Sequence, residues 1–86
     1  MLDVSVSAVQ HASVVTMSGE LDGGSAPQAQ EKIMALAEPQ ARVLLDMTGV
    51  SYMSSAGLRM LLLAYRTISA GGGRIALVGL SEELRD

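Results

Sequence analysis

The sequence predicts an α/β domain, a mixed β-sheet with helices packed against it in the order β-β-α-β-α-β-(α). Three observations predict it. Short apolar runs that alternate or are rich in β-branched residues stand between turn residues, as strands do. Two longer stretches carry apolar residues at helical spacing. After an opening hairpin, strands and helices alternate, which implies right-handed crossovers and a sheet with parallel pairs.

The elements follow in order. Val4, Val6 and Ala8 alternate with Ser5 and Ser7, a half-buried strand. Val9-Gln10-His11-Ala12 reads as the turn. Val14-Val15-Thr16-Met17 is the returning strand, with Gly19 as its end and Gly23-Gly24 as a loop. Ser25 is the N-cap of the first helix, with Gln28 placed for a capping box. Pro27 is tolerated in a first turn. Ala29, Ile33, Leu36 and Ala37 form the inner face, and Pro39 ends the segment.

Val43-Leu44-Leu45 reads as a central strand buried on both faces, closed by Asp46 and Gly49. A second helix is expected over roughly Ala56 to Ser69. Its inner face reads as Leu58, Leu61, Leu62 and Tyr65, and Gly71-Gly72-Gly73 terminates it. Ile75-Ala76-Leu77-Val78 is the last strand. Ser81, Glu82, Glu83 and Leu84 resemble the capped start of a third helix.

Composition narrows the function. With 86 residues the chain reads as one domain, and 49% apolar residues exclude a disordered chain. Such a domain buries only about 60% of its unfolded surface, leaving no room for a deep substrate cavity beside a core. Phe and Trp are absent, so the core is aliphatic. A net charge of −3 and a single lysine, Lys32, argue against direct nucleic-acid binding. Cysteine is absent, which removes disulfides, thiolate nucleophiles and Cys-based metal sites and fits a reducing compartment. No secretory signal or apolar run of membrane-spanning length is seen, so the expected location is cytoplasmic, without membrane contact.

Motifs for catalysis fall short. Ser55 has no neighbouring base, and His11, the only histidine, falls in the predicted hairpin turn. No Gly-x-Ser-x-Gly pattern surrounds Ser55. Asp22 and Asp46 could pair for acid-base work or magnesium; the preferred reading is hydrogen bonding at strand ends. Gly71-Gly72-Gly73 follows a helix, the wrong context for a phosphate cradle. No catalytic residue, metal ligand or cofactor is assigned.

The stretch Asp46-Met47-Thr48-Gly49-Val50-Ser51-Tyr52-Met53-Ser54-Ser55-Ala56-Gly57-Leu58 is different. It puts two serines and a glycine at a strand-loop-helix junction, where either Ser54 or Ser55 could be the N-cap. This run resembles the signature of STAS domains, and Gly19-Glu20-Leu21-Asp22 resembles the family's other marker. Both stand in the right order with a helix between them. The resemblance spans essentially the whole chain. It implies a single STAS domain over residues 1–86 that lacks the C-terminal end of the usual fold.

In anti-sigma factor antagonists of this family, the resemblance implies a serine phosphorylated by an ATP-dependent kinase that is itself the anti-sigma factor. That serine follows an acidic residue and lies two before a glycine. Ser55 holds that place before Gly57, with Ser54 as the alternative acceptor. Ser54 stands where the acid usually stands, and Ala56 where a second Ser or Thr often stands.

The expected function is therefore an anti-sigma factor antagonist whose unphosphorylated form binds a serine-kinase anti-sigma factor and releases the sigma factor. A PP2C-type phosphatase would reset it, and the chain itself needs no cofactor. The expected partner surface comprises Asp22, Ser54, Gly57, Arg59, Met60 and Leu63. Arg59, Met60, Leu63 and Thr67 are placed on the outer face of the second helix. The competing reading of Met60 and Leu63 is ordinary surface apolarity. Rival functions are a non-switching accessory or scaffold STAS subunit, as in lipid ABC transporters or stress-sensing complexes, and a serine enzyme.

Overall fold

The computed structural model describes residues 1–79, so the expected third helix lies outside the described part. The elements are β1 (Leu2–Val9), β2 (Ala12–Leu21), α1 (Ala26–Met34), β3 (Arg42–Met53), α2 (Ser55–Ala70) and β4 (Arg74–Val78). This is the order read from the sequence. One sheet contains all four strands in the order β1-β2-β3-β4. β1 and β2 are antiparallel, whereas β2–β3 and β3–β4 are parallel. Each parallel pair is joined through a helix, because parallel neighbours need a long crossover.

The hairpin turn is Gln10-His11, since Val9 pairs with Ala12. His11 adopts φ 65, a left-handed conformation that histidine tolerates better than bulkier residues. Along β2 and β3 every second residue turns to the helices: Val15 and Met17, then Val43, Leu45 and Met47, all buried. Ala29 and Ile33 of α1 meet them, as expected, together with Ala64 and Ile68 of α2. On the opposite side of the sheet Thr16, Ser18 and Thr48 are exposed. Leu44 is only half-buried there, so β3 is not covered on both faces as the sequence reading had it.

Both central strands run further than the sequence indicated. Gly19 does not end β2, and neither Asp46 nor Gly49 ends β3. Two register shifts absorb these residues. Thr16 pairs with Asp46 but Ser18 with Gly49, and Gly19 pairs with Val50 but Glu20 with Tyr52. Each shift inserts one extra residue on β3, as β-bulges do. At the first, the strands approach closely: a Cβ on Gly49 would lie 2.6 Å from Ser18 Cβ. Pairing then continues to Leu21 and Met53, so β2 and β3 end side by side.

The ends of α1 also differ. Ser25 occupies the N-cap position but makes no capping hydrogen bond, so the capping box does not form. The helix ends at Met34, well before Pro39, and Leu36 and Ala37 pack half-buried beyond it. From α1, Gln28 Nε2 donates to Leu2 O at 3.3 Å and Lys32 Nζ to Val4 O at 3.4 Å. Both acceptors belong to the edge strand β1. Side chains that occupy edge carbonyls hinder strand addition by another chain.

Candidate functional site

The paired ends of β2 and β3 bring two loops together, Asp22–Ser25 before α1 and Ser54 before α2. The Ser54 N–H donates to Leu21 O at 2.9 Å, which ties the start of α2 to the end of β2. Gly57 sits in the first turn of α2, packed directly on that strand end. A Cβ there would lie 2.7 Å from Leu21 O and 2.9 Å from Leu21 Cγ. No side chain fits without moving backbone. Gly57 thus sets how closely the serine-bearing turn lies against the sheet, and it is buried rather than presented to a partner.

The two serines have separate roles. Ser54 is the N-cap of α2, in an extended conformation (φ −85, ψ 173), and its Oγ accepts from Gly57 N–H at 3.3 Å. Ser55 is the first helical residue and is exposed. Among the described residues its hydroxyl makes no hydrogen bond. The sequence left the cap open between the two; the geometry assigns it to Ser54.

Asp22 stands in the adjacent loop, as expected, but its carboxylate faces its own loop. Oδ1 accepts from Ser25 N–H at 3.1 Å and Gly24 N–H at 3.0 Å. Ser25 Oγ accepts from Asp22 N–H at 3.0 Å and donates to Glu20 O at 2.7 Å, with Asp22 Oδ1 3.2 Å away. The Ser25 backbone bond, opposed by desolvation and helped by the Ser25 hydroxyl and Gly24, holds the Asp22 carboxyl below its ordinary value. Asp46 lies on the open sheet face within β3. Thr48, through its hydroxyl and its N–H at 3.0 Å, likewise holds that carboxyl low. The two aspartates are not paired. Asp46 aligns with Thr16, five residues back from Leu21 along β2, or about 17 Å.

The helix face requires a correction. Met60, placed outward by the sequence reading, is buried at 4% exposure. The inner stripe of α2 is Gly57, Met60, Leu61, Ala64 and Ile68. Leu58, Leu62 and Tyr65, assigned inward, are about half exposed at 49%, 51% and 54%. The true stripe is rotated by about one residue, roughly 100° on a 3.6-residue helix. The small residues Gly57 and Ala64 cause this, because they let the helix backbone approach the sheet while larger side chains would hold it off. Arg59, Leu63 and Thr67 are exposed as expected, and Thr67 Oγ1 donates back to Leu63 O at 2.9 Å.

Beside α2 lies a groove of about 510 Å³ that sequence reasoning missed. Ala26 and Pro27 of α1 form one wall, and Arg59, Leu63 and Arg66 of α2 the other, with the buried Met60 between them. Its upper end reaches Gly23 and Ala56, next to Ser55. Only the pairing of α1 with α2 creates it, so no local motif announces it.

His11 lies at the start of β2, whereas Ser55 follows the far end of β3. Ten residues of β2, roughly 30 Å, separate the two ends. The histidine is therefore no base for Ser55. Among the described residues, no helix is long and apolar enough to cross a membrane.

Comparison with known proteins agrees with this architecture. Residues 3–86 match the model of the STAS domain family. An anti-sigma-B factor antagonist of Bacillus subtilis is 35% identical over 83 residues, which cover 96% of this chain and 76% of that protein. One from Listeria monocytogenes is 32% identical over 71 residues, 81% of this chain and 62% of that protein. The Bacillus cell fate determinant SpoIIAA in its phosphorylated form superimposes with a TM-score of 0.79 at 26% identity, covering 96% of this chain and 78% of that one. In its unphosphorylated form the TM-score is 0.76 at 24% identity, with the same coverage. The chain belongs to the STAS domain family.

Proposed function

We propose that this STAS domain is an anti-sigma factor antagonist switched by phosphorylation of Ser55. One observation carries the reading. Of two adjacent serines, Ser54 is committed as the helix cap while Ser55 is exposed with an unengaged hydroxyl among the described residues. A kinase could take Ser55 without dismantling the helix start. The relatives named above are themselves anti-sigma factor antagonists, and SpoIIAA exists in phosphorylated and unphosphorylated forms.

In this reading the partner is an ATP-binding serine-kinase anti-sigma factor. Ser55 Oγ attacks the γ-phosphorus of ATP, a new O–P bond forms, the bond to ADP breaks, and the hydroxyl proton leaves to a base of the kinase. A phosphatase of the PP2C type reverses the step by hydrolysis. The added charge, about −1.5 to −2, sits at the N-terminus of α2, where the helix dipole and free N–H groups accommodate it. The fold persists, and the change falls on whatever docks there. Phosphate at that surface must find cationic partners across the interface or weaken binding by desolvation and repulsion. A loss of about 3 kcal/mol is more than a hundredfold in affinity. The chain supplies no cofactor, and the work is placed in the cytoplasm with the transcription machinery.

The test is binding of unmodified protein and Ser55→Asp to the cognate anti-sigma factor, with intact mass read after ATP is added. A single phosphate that Ser55→Ala abolishes and Ser54→Ala retains, with binding lost in Ser55→Asp, supports the switch. No phosphate and equal binding would move the assignment to a non-switching scaffold or accessory subunit.

A further inference from the structure

The α1/α2 groove and Ser55 share one residue, Arg59. Ser55 and Arg59 stand four apart on α2, one turn, with Cβ atoms about 6 Å apart. Arg66 lies seven residues beyond Arg59, two turns along the same face, about 10.5 Å further on. Both arginines are exposed, and among the described residues neither forms an ion pair. The facing residues of α1 at the groove, Ala26, Pro27 and Gln30, carry no charge. The nearest carboxylate in the adjoining loop, Asp22, is turned to Ser25 and Gly24. A chain with net charge −3 thus keeps, beside an apolar cleft, two cations that no carboxylate among the described residues pairs.

We propose that this groove seats an acidic, partly apolar segment of the anti-sigma factor, and that Arg59 transmits phosphorylation of Ser55 to it. In unmodified protein Arg59 and Arg66 flank the cleft and pair with carboxylates of the segment, whose apolar residues lie over Pro27, Met60 and Leu63. A phosphate on Ser55 captures Arg59 within the same helix, since an anion N-terminal to a cation at i,i+4 is the favourable order. The clamp then loses one of its two cations and faces a phosphate that repels the acidic segment. The switch thereby acts by withdrawing a binding residue as well as by adding charge. This rests on the functional reading above.

Two experiments test it. Phosphoserine is incorporated genetically at position 55, without any kinase, and its second ionisation is followed by 31P NMR. With Arg59 present the phosphate should titrate lower by about 0.3 on the pH scale than in Arg59→Gln, with Arg66→Gln unchanged from the parent. Equal titration in the parent and Arg59→Gln would overturn the capture. The second measures affinity of unphosphorylated protein for the anti-sigma factor. Arg66→Gln should weaken it about three- to tenfold and Arg66→Glu more, and phosphate uptake at Ser55 should slow in the same order because the kinase docks through the same groove. Arg66→Glu binding as the parent does would overturn the groove as the docking surface. Parent protein that neither binds nor takes phosphate would defeat the functional reading instead, while the NMR arm still decides the capture.

Discussion

The two helices begin in the same neighbourhood with the same kind of residue, yet their starts are built in opposite ways. Before α1, Ser25 and Asp22 close on each other and on Glu20 and Gly24, so both polar side chains of the loop are engaged. Before α2, Ser54 alone does the capping, and Ser55 is left outside the network. A closed loop holds a shape; an open one leaves a hydroxyl for another protein to modify. The difference locates the modifiable position without appeal to motif. Asp22 belongs to the structural half of the pair: it steadies the neighbouring loop and its carboxylate is not turned toward Ser55.

The largest expected effect breaks the α2 start. Gly57→Ala must push against the Leu21 backbone and should cost about 1–3 kcal/mol in urea unfolding. Gly23→Ala in the neighbouring loop meets only Ala56 Cβ at 4.0 Å and should stay within about 0.5 kcal/mol. Equal losses would mean that α2 is not seated as closely as described. Next in size, Ser54→Ala should lose about 1 kcal/mol as a cap is removed, whereas Ser55→Ala should stay within about 0.5 kcal/mol. The reverse order would reassign the cap.

Ser25→Ala should likewise cost about 1 kcal/mol by opening the Asp22 loop, and leave phosphate uptake at Ser55 intact. Loss of uptake in that variant would place the α1 loop in kinase recognition. The smallest effect is acidic. Asp22 and Asp46 have carboxyls lowered from 3.8 by their hydrogen bonds. Below that value the unfolded chain binds more protons than the native one, so stability present at neutral pH declines as pH falls through the lowered values. Asp22→Asn should flatten the acid limb of a stability-pH curve, and an unchanged limb would count against the closed loop.

Most of the fold was legible because its signals are local. Alternation marked β1, β-branched residues marked β2, and the Gly-Gly-Gly stop marked the end of α2. What stayed hidden depended on neighbours. Large apolar residues dominate a periodicity reading, so Leu58, Leu62 and Tyr65 outweighed Gly57 and Ala64, although smallness is what let the helix settle on the sheet. Asp46 and Gly49 read as terminators because nothing in a single strand shows that a bulge can absorb them. Arg59 was visible as exposed, but its companion Arg66 and the groove between them exist only once α1 is laid beside α2.

The two register shifts in β3 also set how much length the segment can lose. From Thr16 to Leu21, β2 advances five residues while β3 advances seven, from Asp46 to Met53. Each shift absorbs one surplus residue, and the paired residues keep the side of their β2 partners: Val50 faces the core beside Gly19, and Met53 beside Leu21. Deleting one residue, or two with one from each bulge, would therefore straighten the strand and leave the serines with their present aspect. A third deletion has no bulge to absorb it and would slip the register by one, turning the following side chains to the other face. An ordinary surface loop has no such threshold, so a sharp limit at two deletions would identify this segment as strand rather than loop from variation alone.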